Sequence, residues 1–177
     1  MESKAKFLGH PIHPMLVVFP LGLLSVAVIF DVISLATGDG YWSGLSFYMI
    51  AAGVIGGLLA AVFGWVDWYS IPSQTRAKSI GLIHGLGNVV VMVLFIVSWL
   101  MRRETPMNPG LPAIVLGLIG AGMALGTSWL GGELVDRLGV GVDTGAHLNA
   151  PNSLSGRPAS EDAATIGTAP PRTHRTA

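Results

Sequence analysis

Four apolar stretches, at 14–36, 45–66, 80–101 and 111–130, constrain this chain more than any other feature. Each is about 20 residues long, enough to cross a bilayer core at about 1.5 Å per residue. In hydrocarbon every backbone polar group must be satisfied internally, so stretches of this length form helices. Composition agrees. Of 177 residues, 51% are hydrophobic and only 11% charged, against roughly a quarter charged in a soluble domain. The expected fold class is all-α: a four-helix transmembrane bundle running up-down-up-down through residues 1–138. From 139 to 177 the chain is rich in Gly, Ala, Ser, Thr, Pro and Asn. It buries too little apolar area to offset ordering entropy and reads as a polar, disordered tail.

The formal net charge is zero, with no basic stripe, which argues against nucleic-acid binding. The absence of cysteine removes disulfides, thiolate metal sites, cysteine-ligated iron–sulfur clusters and covalent c-type haem. Lys4 and Lys6 precede the first apolar stretch, as in a signal peptide. That stretch is longer than the usual h-region and contains Pro20 and Asp31, so it reads as a retained span. Basic residues lie before the first span (Lys4, Lys6), in the second connection (Arg76, Lys78) and after the fourth span (Arg137). The first connection has none and the third has Arg102 and Arg103, a balance that places both termini in the cytoplasm.

The polar residues near the spans are unevenly distributed. In Gly9-His10-Pro11-Ile12-His13-Pro14 the prolines push His10 and His13 onto an extended lead-in, with His13 near the N-cap and Pro14 in the first turn. Pro20 predicts a mild kink. Alternating spans bring the starts of spans one and three beside the ends of spans two and four. His10, His13, Asp67, His84 and Glu133 therefore converge on one membrane face, and Asn88 lies one turn deeper than His84. Asp31, about 25 Å along the axis from Pro14, reads as a carboxylate at the far water boundary. The far end otherwise shows little comparable polarity. Gly53/Gly57 and Gly81/Gly85 are small-xxx-small pairs, suited to close helix packing and to homo-oligomer contact.

Bland roles exist for each polar residue. Asp67 can cap backbone groups or pair with Arg76, and Glu133 can pair with Arg137 at i, i+4. His84 and Asn88 can make interhelical hydrogen bonds worth about 1 kcal/mol each. The sharper reading takes His10, His13 and His84 as haem or metal ligands, with Asp67, Asn88 and Glu133 as polar support. In a polyproline-like lead-in His10 and His13 are about 9 Å apart, too far for a compact chelate. His13 and His84 share a depth and could face one another as two axial imidazoles of haem b. A transition metal could use His13, His84 and Asp67. No nucleophile–base constellation or phosphate-binding loop suggests a stand-alone enzyme. A non-catalytic subunit of a membrane complex is the alternative. A small transporter component comes third, because no internal repeat or broken helix marks a pathway.

His10-Pro11-Ile12-His13-Pro14-Met15-Leu16-Val17-Val18-Phe19-Pro20, Gly64-x-x-Asp67-Trp68, His84-x-x-x-Asn88 and Gly131-Gly132-Glu133-Leu134-Val135 together resemble a bacterial integral membrane family known as domain of unknown function 2231. The resemblance covers residues 7–150. It implies a four-helix domain in the bacterial inner membrane and supplies no activity. Some relatives are joined to Rieske-type redox modules, which points to the lipid bilayer and a redox partner as the surroundings. Many relatives carry histidine where Val18 and Leu138 stand here, which implies a reduced site in this member.

Overall fold

Helix boundaries in the computed structural model, which describes residues 1–163, follow proline and capping chemistry. The lead-in is a small antiparallel hairpin rather than a single extended strand. Strand β1 (Lys6–Phe7) pairs with β2 (His10–Pro11) across a turn in which Leu8 and Gly9 both have positive φ. Helix α1 (Ile12–Leu16) starts at once and is followed by α2 (Val18–Thr37). Pro20 has no N–H to offer the Leu16 carbonyl. The irregularity expected at Pro20 therefore falls one turn earlier, at Val17.

Helix α2 stops at Gly38, whose φ of 71° suits glycine. Asp39 then caps α3 (Gly40–Ser70) by accepting from the Tyr41 amide. At 31 residues, α3 is about 46 Å long and projects beyond a bilayer core of about 30 Å. Thr75 caps α4 (Arg76–Met101), and Pro112 lies in the first turn of α5 (Leu111–Gly132). A π-helical turn, Glu133–Arg137, continues α5. The four spans are thus Ile12–Thr37, Gly40–Ser70, Arg76–Met101 and Leu111–Arg137. Each contains one of the expected stretches and extends it through polar or aromatic flanks.

The spans pack in sequence, α2 on α3, α3 on α4 and α4 on α5. Leu24, Ala27, Ile50, Val91 and Phe95 form the centre. A Cβ at Gly53 would lie 2.6 Å from Leu24 Cδ2, so only glycine lets α2 approach α3 there. Gly57 admits Met92 of α4 in the same way. The Gly53/Gly57 face is thereby occupied inside the bundle. Phe19, Ile55 and Leu125 point outward, as a lipid-facing surface requires.

The first part of the tail has defined partners. Gly139 accepts from the Met1 amine at 2.6 Å, and the Gly141 amide donates to Met1 O at 2.8 Å. The Thr144 amide donates to Glu2, and Lys6 bridges Glu2 and Asp143. Polar backbone that cannot form a core here finds acceptors and charges on the N-terminal strap. The expectation for 164–177, including His174, lies outside the described residues.

Candidate functional site

Two histidines from different helices meet at the end of the bundle that carries the N-terminus. His13 lies in the first turn of α1, and its Nδ1 is 2.8 Å from the Ala60 carbonyl of α3. Gly64 lets the ring lie against α3, since a Cβ there would sit 2.9 Å from His13 Cε1. His84 lies two turns into α4, with Nδ1 2.8 Å from the Thr127 carbonyl of α5. A carbonyl only accepts, so in each neutral ring Nδ1 carries the proton and Nε2 the lone pair. The ring centroids are 6.5 Å apart with planes at 90°.

Asn88 braces this arrangement. Its Nδ2 donates to the His84 carbonyl at 2.9 Å, and its Oδ1 accepts from Thr127 Oγ1 at 2.9 Å. Nδ2 is 3.3 Å from His84 Nε2 and 3.5 Å from Nδ1. Being nearly equidistant, it does not lie along the Nε2 lone pair.

The other candidates do not join the pair. His10 is exposed on β2, with Nε2 3.2 Å from Ser153 Oγ. Asp67 accepts from Ser3 Oγ at 2.7 and 2.9 Å and from the Lys4 amide at 2.9 Å, so it fastens the strap and does not pair with Arg76. Glu133 accepts from Arg76 at 2.6 Å instead of from Arg137. In the π-helical turn the bonding runs to i+5, with the Leu138 amide donating to Glu133 O, which displaces the i+4 side chain. Among the described residues no three His, Cys, Asp or Glu side chains converge as a metal site. The three-ligand set His13, His84 and Asp67 is therefore not assembled.

Outside the spans, Lys6 sits beside two carboxylates. Its hydrogen bond to Asp143, then that to Glu2, holds the ammonium above its usual range. The same contact with Lys6, then the Thr144 amide, holds Glu2 below the usual carboxylate range.

The far end overturns the expectation of little polarity there. Asp31 is not at a water boundary: it is 1% exposed, and Arg102, expected in a turn, is fully buried beside it. Arg102 Nη1 donates to Asp31 Oδ1 at 3.0 Å and Nη2 to Oδ2 at 3.2 Å. The remaining donors reach Ser46 Oγ, Ser98 O, Ser98 Oγ and the Ala113 carbonyl. One ion pair thus ties all four spans. The missed signal was serines at matching depth in apolar spans, facing opposite charges on two of them.

Residues 9–144 match a family described as "Predicted membrane protein (DUF2231)". No curated protein and no solved structure matches the chain. With four membrane-length helices, and the match running from before the paired histidine-proline motif to beyond the π-helical turn, this multi-pass membrane protein belongs to the DUF2231 family.

Proposed function

We propose that His13 and His84 are the two protein ligands of a transition-metal centre, haem b in the first place, serving membrane redox chemistry. The observation that carries this reading is that each Nδ1 is held by a carbonyl while each Nε2 keeps its lone pair. Metal-ligating histidines use their second nitrogen in this way, which fixes tautomer and orientation. The ring centroids stand 6.5 Å apart, near enough for one bound group to engage both rings. A bare ion needs further protein ligands, and among the described residues none converges. Haem would bring most of its iron's ligands with it and ask the protein for two, which His13 and His84 would supply.

The test is an absorption spectrum of detergent-purified protein, oxidised and reduced. His84→Leu and His13→Ala each abolish the haem band, whereas His147→Ala leaves it intact. Protein purified without chromophore or metal, and indifferent to added haem, zinc, copper or iron, overturns the reading in favour of a non-catalytic assembly subunit.

We also propose, from the loop charges, that both termini lie in the cytoplasm. Arg102 is buried in the bundle, so the third connection keeps Arg103 as its loop cation against Arg76 and Lys78 in the second, and this asymmetry supports that orientation. Cysteines introduced at 72–74 are then shielded from a membrane-impermeant thiol reagent in intact cells. Labelling there, with protection at 38–40, reverses the orientation.

A further inference from the structure

A shallow cavity of about 220 Å³ opens at the end of the fourth span, lined by Trp129, Gly132, Glu133, Asp136 and Arg137. The π-helical turn shapes it. By releasing Arg137 from Glu133, which Arg76 takes instead, the turn leaves a carboxylate (Asp136) and a guanidinium (Arg137) with no ion-pair partner among the described residues. They are neighbours in one cavity, yet they do not neutralise each other. Such a site complements a ligand that carries both charges.

The face below the cavity is equally specific. Gly122, Gly126, Trp129 and Glu133 follow one another at i, i+4, i+7 and i+11, a single stripe along the helix. Beyond the backbone of its own helix, a Cβ on Gly122 or Gly126 would meet nothing within 4 Å. The opposite side of α5, at Gly117, Gly120 and Thr127, is the side buried in the bundle. The two open glycines therefore make a notch in the lipid-facing surface. It leads up to Trp129, which is 68% exposed at the usual depth of an interfacial aromatic.

We infer that this stripe binds a phospholipid with a zwitterionic, amine-bearing headgroup. The phosphate lies on Arg137, the ammonium on Asp136, and an acyl chain runs past Trp129 into the Gly126–Gly122 notch. An anionic headgroup lacking the amine gains Arg137 but faces Asp136, whereas a zwitterion engages both.

The experiment is native mass spectrometry of the full-length protein in mild detergent, with phosphatidylethanolamine and phosphatidylglycerol of matched chains. Phosphatidylethanolamine binds preferentially at one site. Arg137→Gln weakens it by about fivefold, the loss expected for one basic residue at a membrane surface. Asp136→Asn removes the preference by weakening phosphatidylethanolamine alone, and Gly126→Leu weakens both lipids by filling the notch. Circular dichroism checks that these exposed substitutions leave the fold intact. Equal or stronger binding of phosphatidylglycerol to the unaltered protein overturns the proposal, as does lipid binding indifferent to all three variants. A dimer dissociated by Gly126→Leu but untouched by Arg137→Gln also overturns it, and assigns the face to a second copy of the chain.

Discussion

At the far end of the bundle, Arg102 donates to Asp31, Ser46, Ser98 and Ala113, so its guanidinium is saturated by three other spans and its own. At the near end, His13 and His84 each engage one ring nitrogen with a carbonyl and keep the other as a lone pair. Both arrangements set polar groups inside a membrane domain, where burial without partners is costly. The far cluster is closed: adding a ligand would require breaking a bond already made. The near pair is open, and its remaining capacity is of one kind, two nitrogen lone pairs. The difference separates a group that fixes how spans assemble from one that keeps acceptor capacity, on which the proposed ligand role rests.

The largest expected effect tests the closed end. Asp31→Leu or Arg102→Leu alone leaves a buried charge without its partner and destabilises by about 3–5 kcal/mol. The double replacement recovers most of this, because two matched apolar groups leave no orphaned charge. Unfolding in detergent, arranged as a double-mutant cycle, measures the coupling. By contrast, His84→Leu changes stability by no more than about 1 kcal/mol, since one interhelical hydrogen bond is lost and a neutral ring is replaced by apolar volume. If the Asp31 and His84 variants were equally damaging, the contrast between a closed and an open end would fail.

The bundle itself was legible because membrane length and hydropathy act residue by residue and need no knowledge of partners. The meeting of His13 with His84 followed from alternation of the spans alone. What escaped required pairing across spans. Asp31 was placed by its distance from Pro14 and Arg102 by its position after an apolar stretch, so neither suggested the other. A helical Cβ tilts toward the helix N-terminus, and this directs Arg102 from the end of α4 back past Ser98 into the bundle. The pairing of Glu133 was missed for a related reason. An i, i+4 expectation presumes an α-helix, and the chain is π-helical at that turn. Residues 139–163 were read from composition, which reports weak core-forming ability and says nothing of docking on a strap such as 1–6.

The smallest expected effect lies in that strap, which joins neither polar cluster. Lys6 bridges Glu2 and Asp143, and the Thr144 amide donates to Glu2 at 3.2 Å. Glu2 is held below its usual range by Lys6 and then Thr144. Its contribution is therefore present above the unfolded value of about 4.3 and is lost as pH falls through the lower folded value. Lys6 is held above its usual range by Asp143 and then Glu2. Its contribution is complete below the unfolded value of about 10.4 and disappears as pH rises through the higher folded value. The clasp is thus closed across the neutral range and opens at both extremes. Followed by NMR, the Thr144 amide should shift in an acid limb and an alkaline limb. Lys6→Ala should remove the alkaline limb and move the acid midpoint upward, toward that of a free glutamate. Because Asp67 holds Ser3 and Lys4 independently of this clasp, the same variant should leave any His13–His84 ligand spectrum unchanged. A spectrum that tracked the clasp would show that the strap belongs to the open end after all.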